Sequence, residues 1–271
     1  MQVSIIYICV LVAVVVWAAH RYRERARRRR LFQTPLSPEH VAILENNVPL
    51  YTRLPKELHG TLQGCISYFL DEKIFIGCEG LEVNDEARLI IAANACMLLV
   101  NREKKYFPGF KTILVYPDTY VAREVSYDGG VEVHRDSTRA GESWHRGPIV
   151  LSLSDVVRGS SNAQDGHNVV LHEFAHKLDE ENGTVDGLPV LRESTHYKEW
   201  AQVLTQEYDE FLGRVDSGKN KVIDAYGAVS APEFFAVATE SFFEKSTQMK
   251  KKLPELYRQL QTFYGLDPAE W

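Results

Sequence analysis

"NVVLHEFAHKLD", residues 168–179, decides how the chain is read. On a helix, residues four apart share a face, one turn apart. His172 and His176 then aim two imidazoles at one point, and Glu173 stands beside that point, about 100° further round the axis. The other positions are Val169, Val170, Leu171, Phe174, Ala175 and Leu178. A surface apolar nearly all round marks a buried helix. Two histidines and a glutamate are costly there unless paired or metal-bound. Tetrahedral zinc accepts neutral imidazole nitrogens at ~2.0–2.1 Å. The stretch therefore reads as a buried helix carrying a Zn2+ site, with Glu173 placed to take a proton from bound water. Asp165 is expected to cap this helix. Asp179, three residues past His176, shares the histidine face and is expected to orient a ligand imidazole.

Catalytic zinc usually takes three protein ligands plus water. A metzincin would continue HExxHxxGxxH, but Asp179 and Asn182 stand at its Gly and His positions, which excludes that class. Glu193 and Glu199 follow His176 at spacings common among glutamate-ligand zinc peptidases, and His196 between them is a further candidate. Glu233 is the other candidate, in the first turn of an apolar helix opened by Ala231–Pro232. An acid there also favours the helix macrodipole without any metal. Spacing alone leaves Glu193, Glu199 and Glu233 open.

Working outward, Ser37–Pro38–Glu39 reads as a helix start. Helices are expected over 38–46 and 55–71, then a strand over 73–77, then a long apolar helix capped by Asn84 or Asp85. "KTILVYPDTYV" (111–121), "VEVHR" (131–135) and "GPIVLSLS" (147–154) form a β-rich middle. The last alternates, with Ile149, Leu151 and Leu153 on one face. It suits either an edge strand that a peptide substrate extends or a core strand. Helical patterns return over 165–181, 195–214, 231–246 and 248–263. Helices, strands and helices again argue for α+β rather than a wound parallel sheet.

The 271 residues suffice for a full core. Residues 21–30, "RYRERARRRR", hold seven arginines and one glutamate, and residues 1–20 hold no Lys, Arg, Asp or Glu. Taking those from totals of 31 basic and 37 acidic leaves 24 and 36, a net −12 from residue 31 onward. That acidic body excludes a nucleic-acid surface. Cys9, Cys65, Cys78 and Cys96 show no CxxC spacing and read as reduced thiols. His40, His59, His134, His145 and His167 read as surface or core residues. "VSIIYICVLVAVVVWAA" (3–19) is continuously apolar. Positive charge after the run, not before it, argues for an anchor rather than a signal peptide. By the positive-inside rule the N-terminus faces out. The expected plan is a transmembrane anchor (1–20), a basic juxtamembrane linker (21–36) and a catalytic domain (37–265) in the cytoplasm, a single-pass protein of the cell (inner) membrane.

"DGHNVVLHEFAHKLDEENG", "YPDTYV" (116–121), "GPIVLSLSDV" and "YGAVSAPEFFAVATESFF" together resemble the Mlc titration factor A family of zinc peptidases, over roughly residues 35–265. That family is similar in its catalytic core to the anthrax lethal factor protease, which pairs HEFxH with a tyrosine seven residues before a ligand glutamate. Tyr226 and Glu233 have that spacing. The resemblance implies a zincin-like metallopeptidase domain with an N-terminal helical region and a small mixed sheet. It implies one zinc per chain on His172, His176 and Glu233, with Tyr226 as a hydroxyl donor to the oxyanion. Its implied partners are a peptide or protein substrate and a transcriptional repressor of the Mlc type. The best-known enterobacterial member lacks an N-terminal span, which sets this chain apart. A regulatory protein that sequesters such a repressor is the competing function, and a pure binder needs no general base.

Overall fold

Ser37 opens the body of the molecule as a helix cap, its side chain accepting the His40 N–H at 3.2 Å with Pro38 in the first helical position. A computed structural model of the chain describes residues 2–118, 120–128, 131–139, 141–143, 147–219 and 221–271. A first helix, α1 (Gln2–Gln33), precedes this cap, and α2 (Pro38–Asn47), α3 (Pro49–Arg53) and α4 (Lys56–Glu72) lead to strand β1 (Ile74–Gly77). Asn84 then caps α5 (Asp85–Met97) by accepting the Ala87 N–H at 2.9 Å. Strand β2 (Thr112–Tyr116) is followed by a separate hairpin, β3 (Tyr120–Asp128) and β4 (Val131–Arg139), and then by β5 (Gly141–Ser143) and β6 (Ile149–Ser152). The rest is helical: α6 (Leu153–Ser161), α7 (Val169–Asp179), α8 (Tyr197–Asp216), α9 (Ala231–Glu244), α10 (Ser246–Lys252) and α11 (Pro254–Tyr264).

The expected α+β class is corrected by this layout. The described chain is mostly helical, and its sheet is small: β1, β2 and β6 lie parallel, with three-residue β5 pairing antiparallel to β6. Strands of four or five residues are too short to form a layer equal to the helices. Both edges of β6 are taken, by β2 and by β5, and all four of its residues are buried. It is a core strand, and the edge reading of "GPIVLSLS" falls.

The expected membrane anchor is also corrected. Among the described residues no helix is long and apolar enough to cross a membrane. Apolar and basic stretches belong to one helix, α1. The uncharged run ends at His20, and the same helix continues through the seven arginines of residues 21–30. The single-pass placement and its orientation fall with the span. The end of α1 lies instead on the body. Arg27 pairs with Asp71, Arg28 donates to the Tyr68 hydroxyl at 3.2 Å, and Phe32 stacks on Tyr68 at 5.5 Å.

Three helices make the centre. Most of α5, α7 and α9 is buried, including Ile91, Ala92, Ala95, Leu171, Phe174, Ala175, Phe235 and Phe242. Phe174 projects from α7 into a cluster with Phe69, Phe107 and Phe110, ring centroids 4.8–5.9 Å away. Gly159 lets α6 approach the start of α7, since a Cβ there would lie 2.7 Å from the His167 carbonyl oxygen. Helix α7 is thereby held at its first turn and along its apolar side. Its histidine face is left towards α9.

Candidate metal centre

Asn168, not Asp165, caps α7, accepting the Leu171 N–H at 3.1 Å. Asp165 closes a local turn by accepting the His167 N–H. From this cap His172 falls in the second turn and His176 one turn later. Their Nε2 atoms lie 3.2 Å apart. Glu233 arrives from α9, where Ser230 accepts its backbone N–H at 3.4 Å. That is the S-x-x-E pattern of a capping box, and it places Glu233 in the first turn. Its Oε2 sits 3.0 Å from His172 Nε2 and 3.4 Å from His176 Nε2.

These three atoms meet the geometry of a metal site. Ligands ~2.0–2.1 Å from a tetrahedral metal lie about 3.3 Å from one another, and the observed sides are 3.0, 3.2 and 3.4 Å. Two imidazoles and one carboxylate form a donor set that suits zinc. Among the described residues this is the group of His, Cys, Asp and Glu able to hold a metal ion. His172 Nε2 lies within hydrogen-bond distance of both Glu233 Oε2 and His176 Nε2. Burial opposes the His172 charge, yet hydrogen bonds to Glu233 and Glu240 raise its pKa well above 6.5. Burial likewise opposes the Glu233 charge, but the two imidazoles hold its carboxyl below the usual range.

Glu173 is buried beside the histidines on α7. Tyr226 sits in a 3-10 turn (Ala225–Val229) capped by Asp224, half-exposed, its ring 6.0 Å from that of His172. The structure does not bring the other candidates here. Glu199 binds Arg258 at 2.8 Å on the surface, and exposed Glu193 lies 3.8 Å from partly exposed His196. Asp179 does not reach an imidazole. Its Oδ2 accepts the Gly187 N–H at 2.8 Å, and burial pushes its carboxyl up to about 6. Gly187, at φ +79°, lies against the Ala231 carbonyl, so Asp179 ties the loop after α7 to the start of α9. His134 and His145 lie outside the described side chains.

Sequence reasoning missed Glu240. This buried α9 residue accepts from His172 Nδ1 at 2.8 Å and from the Asn168 backbone N–H. Glu244 accepts from Asn168 Nδ2 at 3.1 Å and from the Gly166 N–H at 3.0 Å. Asn168 Nδ2 also reaches Asn94 Oδ1 on α5 at 3.0 Å. The available signal was the spacing of Glu233, Glu240 and Glu244 (7 and 11 residues), which keeps all three on one helix face.

A family model described as glucose-regulated metallo-peptidase M90 matches residues 22–265. An uncharacterised protein of Synechocystis sp. is 41% identical over 244 residues, covering 89% of this chain and 89% of its own length. Mlc titration factor A of Escherichia coli O7:K1 is 32% identical over 229 residues, with coverage of 83% and 85%. The protein of that name in Yersinia enterocolitica is 31% identical over 226 residues, with coverage of 82% and 84%.

Proposed function

The chain belongs to the glucose-regulated metallo-peptidase M90 family, and from that premise we propose that it is a zinc-dependent peptidase using Glu173 as general base. The observation that carries this reading is the triangle of His172 Nε2, His176 Nε2 and Glu233 Oε2, with sides of 3.0–3.4 Å. These three side chains would hold the ion. When bound, zinc supplies an acidified water and polarises the scissile carbonyl. Glu173 takes the proton from the attacking water and passes it to the departing amine. Tyr226, beside the His172 ring, donates its hydroxyl to the developing oxyanion.

The test is zinc content together with turnover of short chromogenic peptides by the full-length chain. Glu173→Gln should hold zinc in wild-type amount and lose turnover by ~10²–10⁴-fold, the usual share of a general base. Peptide turnover that persists in the variant, or that survives removal of metal by a chelator, would refute the reading.

The relatives' printed name supports a second role. Proteins called Mlc titration factor A suggest that this chain binds a transcriptional repressor of the Mlc type. Capture of such a purified repressor by both wild type and Glu173→Gln would support binding separate from hydrolysis. No capture by either would remove it.

A further inference from the structure

We propose that Glu240 is a positioning residue of the metal centre, bracing the backbone start of α7 and the His172 ring with one carboxylate and so directing Nε2 of that ring towards Glu233 and His176. This rests on the metallopeptidase reading above.

Helix α9 carries Glu233, Glu240 and Glu244 on one face, and each meets α7 at a different height. Glu233 meets the tips of the imidazoles. Glu240, 5% exposed, uses both oxygens on α7: Oε1 on His172 Nδ1 at 2.8 Å and Oε2 on the Asn168 N–H. Glu244 holds the Asn168 side chain, whose Oδ1 in turn caps the Leu171 N–H. The cap of α7 and its first histidine are thus fastened to one carboxylate, four residues apart.

A carboxylate oxygen 2.8 Å from a ring nitrogen accepts the proton that nitrogen carries. Nδ1 of His172 must therefore be the protonated nitrogen, and Nε2 faces the other two ligand atoms. This fixes both the tautomer and the ring plane, the two properties a carboxylate behind a ligand histidine controls. Glutamine cannot replace it. With one acceptor and one NH2, it can serve either His172 Nδ1–H or the Asn168 N–H. If its oxygen serves Asn168, the NH2 faces Nδ1 and selects the tautomer with the proton on Nε2, where the metal would bind.

Two measurements on the full-length protein test this. Zinc affinity is read by competition with a chromogenic chelator for wild type, Glu240→Gln and Glu240→Asp. The expected result is a zinc Kd about 10–100-fold weaker in Glu240→Gln, with partial recovery in Glu240→Asp. The second measurement needs no variant: imidazole 15N spectra of the zinc-loaded wild type should show the His172 proton on Nδ1. A Glu240→Gln protein that binds zinc as wild type does, while melting lower in chelator, would make Glu240 a helix brace only and overturn the inference. A wild-type His172 whose Nδ1 carries no proton would overturn it too, whether or not the variants fold. Wild type that binds no zinc would sink the proposed function and this inference together. Wild type that binds zinc beside an equally competent Glu240→Gln would sink the inference alone.

Discussion

His172 carries the chemistry of the site in its two nitrogens. Burial disfavours its charge, but hydrogen bonds to Glu233 and Glu240 raise its pKa well above 6.5. A proton on Nε2 and a metal compete for the same lone pair, so binding must release that proton. Glu233, held low by the imidazoles, is ionised throughout the neutral range and adds no release of its own. Zinc affinity should therefore keep rising with pH above 7, by up to about tenfold per pH unit for one proton released. A chelator competition series from pH 6 to 9 measures this, and an affinity flat above pH 7 would contradict the protonated ring. Glu233→Ala should lower zinc occupancy by metal analysis, while Glu193→Ala, on the exposed loop, should not. Tyr226→Phe should leave zinc content intact and lower peptide turnover by ~10²–10³-fold, the usual effect of losing one oxyanion donor. The imidazole pair was legible because a four-residue spacing is a local fact of helix geometry. The carboxylates that face it come 61 and 68 residues later in the chain. No local period encodes that distance, which is why Glu233 stood level with Glu193 and Glu199 by spacing and Glu240 went unseen.

At the level of elements, α7 is a strut with one apolar side and one side that carries His172 and His176. Phe174 anchors the apolar side among Phe69, Phe107 and Phe110. Phe174→Ala removes a fully buried ring and should lower stability by ~3–5 kcal/mol. Urea unfolding in chelator would measure it, and a loss under 1 kcal/mol would mean the cluster closes over the gap. Helix starts were the most legible elements, because caps are short patterns: Ser37 and Asn84 both cap where their neighbours suggest. Ends were less so. Residues 248–263 have a continuous helical pattern, yet the structure breaks at Leu253, since Pro254 disfavours the helical backbone in the residue before it. Asp165 lost the cap of α7 to Asn168 because its side chain closes a turn two residues on. Alternation in β6 suggested one wet face, but helices and neighbouring strands bury both. Burial from the second face is a tertiary property.

Across the whole molecule, the strand-rich middle outweighed the helices in the sequence because β-branched runs are conspicuous and short strands look like long ones. Helices α5, α7 and α9 instead form the centre, and they enclose a buried polar line from Asn94 through Asn168 to Glu244 and Glu240. This line ties stability to pH. Burial, with added repulsion from Glu240 and Asp165, pushes the Glu244 carboxyl up from 4.5 to about 8. The folded protein thus holds a proton that the unfolded chain releases near 4.5. By linkage, the stabilisation from that proton is complete below pH 4.5 and is lost as pH rises towards 8, where the folded group also ionises. The loss amounts to a few kcal/mol, on the order of 1.4 kcal/mol per pH unit across the window. Glutamine at this position cannot ionise and keeps an acceptor for Asn168 Nδ2 or the Gly166 N–H. Unfolding curves of wild type and Glu244→Gln between pH 4.5 and 9, in chelator, should diverge steadily, with wild type losing stability faster up to about pH 8 and in parallel with the variant beyond it. Parallel curves throughout would mean that Glu244 is ionised in the folded protein at neutral pH, its charge carried by the two hydrogen bonds from Asn168 and Gly166.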